Sequence, residues 1–83
     1  MRFRFQLEVG VAIRNSIRKD LEETKSNMEW SFPGSELVIR ESKSFWESTF
    51  YIQGNNFPDT DECQRVIKGW FKKIENVATI NLN

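Results

Sequence analysis

Residues 2–9 alternate without a break: Arg2, Arg4, Gln6 and Glu8 interleave with Phe3, Phe5, Leu7 and Val9. Period two over this length is the pattern of a strand with one dry and one wet face. Such a strand is not stable alone. It needs paired neighbours, and it needs a layer over Phe3, Phe5 and Leu7.

Gly10 interrupts the alternation, and the period then changes. Ile13, Ile17, Leu21 and Met28 fall on or near one helical stripe, with Arg14, Arg18, Lys19, Glu22, Glu23 and Lys25 opposite. This predicts an amphipathic helix over residues 11–27, ended by Asn27. Pro33-Gly34 then marks a turn and leaves Trp30 and Phe32 unassigned between core and surface. "ELVIRE" predicts a second strand, with Leu37 and Ile39 on one face and Glu36, Val38 and Arg40 on the other. "SKS" reads as a hairpin loop. "SFWESTFYIQG", residues 44–54, reads as a third strand closed by Gly54, Asn55 and Asn56.

Cys63, Val66, Ile67, Trp70, Phe71 and Ile74 repeat at helical spacing, after a capping-box-like start at Asp59 and Glu62. Lys72 and Lys73 suit its last turns. Gly69 lies off the stripe, costs about 1 kcal/mol relative to Ala, and implies a close backbone contact. In "ATINLN", Ala78, Ile80 and Leu82 alternate with Thr79 and Asn81, a fourth strand.

The order strand, helix, strand, strand, helix, strand predicts an α+β fold, the ferredoxin-like βαββαβ sandwich. It implies a four-stranded antiparallel sheet with both helices on one face, as a single domain over residues 1–83. The alternative is an extra short strand at "EWSF". A chain of 83 residues needs a dense core, and three Trp and seven Phe supply it.

Composition excludes several functions. There is no His, so His-based acid/base chemistry, nucleophile pairs and zinc sites are ruled out. Cys63 is alone, which rules out an internal disulfide and a cysteine metal cluster. No cofactor and no metal are expected. Glu22/Glu23 fit a solvated helix face, Asp59/Asp61/Glu62 a helix start, and Cys63 a buried, inert thiol. Twelve basic residues balance twelve acidic ones, so no whole-chain attraction draws the protein to nucleic acid or to an anionic membrane. No apolar run reaches spanning length, and "MRFRFQLEVG" lacks a signal peptide's apolar centre. The expected location is the cytoplasm.

Strand alternation divides the aromatic run. Trp46, Phe50 and Ile52 share one parity and are assigned to the core; Phe45, Thr49 and Tyr51 share the other and are assigned to the open face. Beside them on that face the topology would bring Arg2, Arg4, Val38 and Arg40. An aromatic-plus-arginine face on central strands is architecturally similar to the base-stacking surface of RNA-recognition-motif domains. The third strand departs from that motif, having no Gly there and carrying Glu47 mid-strand. Tyr and Arg are also the residue types that dominate protein interfaces.

"EVGVAIR", between first strand and first helix, presents Gly10 and Val11 before a helix N-terminus, with Arg14 in its first turns, an arrangement suited to an anion. Here the chain resembles the acylphosphatase family, whose loop reads Val-Gln-Gly-Val-x-Phe-Arg. Gly10, Val11 and Arg14 match, Ile13 stands for the Phe, and "VIKGWFKKIENVATINLN" is similar to the family's closing helix and strand. The resemblance implies a phosphate loop at Gly10, Val11 and Arg14, with Arg14 the catalytic arginine of an acyl-phosphate hydrolase. Val9 replaces the family's Gln, and Glu41 stands where its water-orienting Asn would be.

The sequence is therefore read as a binding or regulatory domain without catalysis, acting on a protein partner or a second copy through the open sheet face. The alternatives are an acylphosphatase-like hydrolase or degenerate relative, and single-stranded RNA binding through the same face.

Overall fold

A computed structural model describes residues 1–12, 17–75 and 79–82, with the backbone alone for residue 12 and for 79–82. The elements are β1 (Arg2–Ala12), α1 (Ile17–Ser31), β2 (Glu36–Lys43), β3 (Glu47–Pro58), α2 (Asp61–Glu75) and β4 (Thr79–Leu82). The strands are antiparallel in the order β2-β3-β1-β4, so β1 and β3 are central. The expected sheet of four antiparallel strands is corrected to a three-stranded one with a short fourth segment at its edge. Three antiparallel strands, β1-β3-β2, make the body of the sheet, with 11, 12 and 8 residues in β1, β3 and β2. Among the described residues the last strand spans 4 residues and pairs with Leu7–Gly10.

Alternation explains the core. Leu7, Val9 and Val11 of β1, Leu37 of β2, and Phe50 and Ile52 of β3 are buried in one cluster. Ile17, Leu21 and Met28 of α1 and Cys63, Ile67, Trp70 and Ile74 of α2 close over it. Both helices thus cover one face of the sheet. Val66, expected on the α2 stripe, remains exposed. Gly69 meets no atom where a Cβ would be, so the expected close contact is absent.

Two devices shape the end of the sheet where β1 begins and β3 finishes, here called the base. Asn56 has a left-handed φ of 60°, and the β1–β3 register shifts by one residue between Phe3 and Phe5. This bulge reverses the parity of β3 and turns Phe57 into the core, where it is fully buried. At Gly54 a Cβ would collide with the Phe5 ring, so only glycine lets that ring lie against β3. Phe5 then packs on Phe57 at 5.4 Å and on Phe71 at 5.5 Å, and Phe32 meets Phe57 at 6.3 Å.

Several boundaries differ from expectation. Gly10 does not end β1, which runs on to Ala12, and α1 continues past Asn27 to Ser31. "EWSF" forms no strand: Glu29, Trp30 and Ser31 finish α1, Trp30 is 86% exposed, and Phe32 is buried. The Pro33-Gly34 turn is present, with Ser35 N–H donating to Phe32 O at 3.1 Å and Gly34 at a φ of 89°. The cap of α2 is Thr60 rather than Asp59: its Oγ1 accepts from Cys63 N–H at 3.2 Å, while Asp59 holds the Gln64 amide.

The edge strand β2 is tied to α1 by side chains. Glu29 Oε2 accepts from Leu37 N–H at 2.9 Å, and Lys25 Nζ donates to Leu37 O at 2.8 Å and to Glu29 at 2.7 Å. The outward backbone groups of Leu37 are therefore occupied, which blocks strand addition at that point.

Candidate functional site

The open face of the sheet is built from the polar parity of each strand. The register sets three rows across β1, β3 and β2: Gln6–Gln53–Val38, Glu8–Tyr51–Arg40 and Gly10–Thr49–Ser42. Tyr51 stands at the centre, 46% exposed, between an acidic residue and Arg40. A shallow depression of about 180 Å³ is lined by Gln6, Val38, Arg40, Tyr51 and Gln53. The Gln53 amide is positioned by Asn55 Oδ1 at 2.9 Å. A phenol, a guanidinium, two amides and one aliphatic side chain offer both hydrogen bonding and apolar contact, the mixture found at protein interfaces.

The expected face is gathered only in part. Val38, Arg40, Thr49 and Tyr51 lie together. Arg4 is exposed but sits in the register break, with no opposed residue on β3. Arg2 is at the base, where its Nη1 donates to Asn56 O at 3.3 Å. Phe45 is not on the sheet face: it and Trp46 precede β3 and form the tip of the β2–β3 hairpin. They are 80% and 75% exposed, so the assignment of Trp46 to the core is also corrected. Ser48, Phe50 and Ile52 do point inward, as their shared parity requires.

The hairpin turn explains the error. Ser44 N–H donates to Glu47 O at 2.8 Å, leaving only Phe45 and Trp46 in the loop instead of Ser42–Ser44. Two-residue hairpins favour Asn-Gly or Gly-X because they need positive φ. Here neither ring-bearing residue has positive φ, and the Ser44 hydroxyl bridges the turn, donating to Glu47 O and accepting from Glu47 N–H.

The phosphate-loop residues are placed differently from expectation. Gly10 and Val11 are strand residues, opposite Thr49 and Ser48, and Gly10 also pairs with Thr79. Their backbone is committed to the sheet and makes no cradle; Arg14 lies outside the described residues. The Glu47 carboxylate lies over Gly10, 2.5 Å from where a Cβ would stand. Glu41 accepts two bonds from Arg18, Nε–Oε1 at 3.0 Å and Nη2–Oε2 at 2.6 Å. Hydrogen bonding from Arg18, aided by the Ser48 hydroxyl, holds the Glu41 carboxyl below its usual range. A carboxylate kept ionised there repels a phosphate.

Cys63 is buried, and burial pushes its thiol up. Among the described residues no three His, Cys, Asp or Glu side chains are grouped to hold a metal ion, and no helix is long and apolar enough to cross a membrane.

No family model and no curated protein matches the chain. Nothing found in these comparisons supports a relationship to the acylphosphatases in particular. The fold is similar to the solution NMR structure of a de novo designed protein with a ferredoxin fold, with a TM-score of 0.64 at 17% identity over 98% of this chain and 83% of that one. At that identity the likeness concerns the fold alone, and the chain has a ferredoxin-like α+β fold.

Proposed function

We propose that the protein is a small non-catalytic binding domain that contacts a protein surface through its open sheet face, centred on Tyr51. The observation that carries this reading is the Glu8–Tyr51–Arg40 row beside a depression that Gln6, Gln53 and Val38 complete. Tyr and Arg are enriched among residues that carry binding energy, and a rigid central strand holds Tyr51 in place. The partner's contact surface supplies groups to bond the two amides and Arg40, and an apolar group to cover Val38 and the phenol ring. A single buried Cys63 suits a reducing cytosol, which the reading takes as the setting.

Neither alternative has an observation of its own. A hydrolase reading relies on Gly10 and Val11, which are strand residues, and places a phosphate beside Glu41. An RNA reading needs Arg2 and Phe45 next to Tyr51, and both lie elsewhere.

The test is photo-cross-linking in native cells from a benzophenone side chain at position 42, which lies on the open face one row from Tyr51. A discrete adduct that is lost in Tyr51→Ala, with the circular dichroism spectrum unchanged, is the expected result. No adduct, or an adduct indifferent to Tyr51→Ala, overturns the reading.

A further inference from the structure

The outward face of α2 concentrates charge of one sign. The buried stripe of this helix is Cys63, Ile67, Trp70 and Ile74. Helical spacing puts Arg65, Lys68, Gly69, Lys72 and Lys73 on the opposite side, and all five are exposed. Asp61 and Glu62 lie before this patch and Glu75 after it, with no acidic residue between. None of the four cations makes an ion pair among the described residues. Like charges three and four residues apart repel on a helix surface. The cluster therefore works against the stability of α2.

Gly69 is the second observation. Its neighbours on the helix surface are Arg65 at i−4, Lys72 at i+3 and Lys73 at i+4, with Lys68 beside it. The glycine thus sits inside a ring of cations. Glycine is unfavourable in mid-helix, and nothing in the packing requires it here, because a Cβ would meet no atom within 4 Å. What the missing side chain provides lies on the solvent side. It leaves a bare patch of helix backbone that a ligand can approach closely while four cations surround it. Positions where local preference is overridden without an internal gain are commonly functional.

The chemistry of the face selects the ligand. Protein interfaces have an apolar or aromatic centre and are poor in Lys, whereas this face has only Val66, at its margin. A membrane-surface helix inserts its apolar face, and that of α2 is in the core. Single strands are gripped by stacking on aromatic rings, and the rings of α2 lie on its other side, Trp70 buried and Phe71 half-buried. The phosphate backbone of a duplex asks only for cations and close approach.

We propose that α2 contacts the phosphate backbone of double-stranded nucleic acid at Gly69, held by Arg65, Lys68, Lys72 and Lys73, without reading its sequence. The acidic residues at both ends of α2 make the phosphate strand cross the helix at Gly69 rather than follow its axis. The chain has no net charge, so nothing steers the encounter from a distance, and the contact is weak and salt-sensitive. It uses a different surface from the Tyr51 face and stands or falls separately.

Fluorescence anisotropy of a labelled mixed-sequence DNA duplex of about 20 base pairs, titrated with the purified chain at several salt concentrations, tests it. The expected result is half-saturation below about 100 µM at about 20 mM salt, with a log–log salt slope of about −3.6 for four phosphate contacts. Lys68→Gln and Lys72→Gln each weaken binding and flatten the slope by about 1. Gly69→Leu covers the bare patch and weakens binding severalfold with the slope unchanged. Tyr51→Ala has no effect. The substituted α2 side chains are exposed and the replacements are helix-compatible, so the variants fold. No binding at about 20 mM salt, a slope indifferent to Lys68→Gln and Lys72→Gln, or a Gly69→Leu protein that binds like wild type overturns the proposal. So does equal binding to phosphatidylserine vesicles at the same phosphate concentration, which would mark a general anionic surface as the ligand.

Discussion

The two ends of the sheet use aromatic rings in opposite ways. At the base, Phe3, Phe5, Phe32, Phe57 and Phe71 interlock over the bulge and Gly54. At the hairpin end, Phe45 and Trp46 pack on each other and, among the described residues, on no other ring, and both face solvent. Hydrophobicity does not separate the groups; cover does. Strands of 11 and 12 residues run roughly 36–40 Å, whereas helices of 15 residues run about 22 Å, so the helices cannot roof the whole sheet. Rings below the helices become core, and rings beyond them remain available for contact.

The sharpest way to break that contrast is to truncate one ring from each end. Phe57→Ala at the base is expected to cost about 3–5 kcal/mol in chemical denaturation. Trp46→Ala at the tip is expected to shift stability by no more than about 0.5 kcal/mol. Equal losses would mean that the tip is packed after all. Next in size is Gly54→Ala, which pushes a methyl group into the Phe5 ring and should cost about 1–3 kcal/mol; much of that returns when Phe5→Leu is added, if the ring is the obstacle. Gly69→Ala runs the other way. The glycine faces open space in mid-helix, so the substitution should stabilise by about 1 kcal/mol, read as a raised denaturation midpoint.

The smallest effect concerns pH and the edge strand. Hydrogen bonding from Lys25, then from Leu37 N–H, holds the Glu29 carboxyl below its ordinary value of 4.5. A depressed carboxyl contributes stability that is fully present above the unfolded value and is lost as pH falls through the lower folded value. The melting temperature should therefore fall as pH drops below about 4.5, and fall less steeply in Glu29→Gln. The side chains are partly exposed, which keeps the difference small. Identical acid slopes would show that the Lys25–Glu29 clamp on β2 does not hold in solution.

Much of this fold was legible because apolar period is a direct consequence of which face is dry. The alternation of Phe3, Phe5 and Leu7, and the stripe of Cys63, Ile67, Trp70 and Ile74, point at the core the structure contains. Element ends were less legible, because the competing signals there are single side chains. Asp59 and Thr60 are both good caps, and only geometry selects Thr60. Gly10 is a breaker by composition, yet it lies flat in a central strand. The parity of β3 does not extend to Trp46, because a turn with none of the usual turn residues lies there. The reversal at Asn56, which buries Phe57, follows from a left-handed residue that pattern alone does not reveal. Of the candidate site, Val38, Arg40, Thr49 and Tyr51 were readable from parity and topology. Gln6 and Gln53, which complete the depression, look like ordinary strand polar residues until register places them in one row.

The most direct test of the proposed role compares two surfaces in one experiment. The position-42 photo-adduct is measured in the Tyr51→Ala and Trp46→Ala backgrounds. Loss of the adduct with Tyr51→Ala and its persistence with Trp46→Ala is the outcome expected if the sheet face binds the partner. An adduct that survives Tyr51→Ala, or that never forms, contradicts the account.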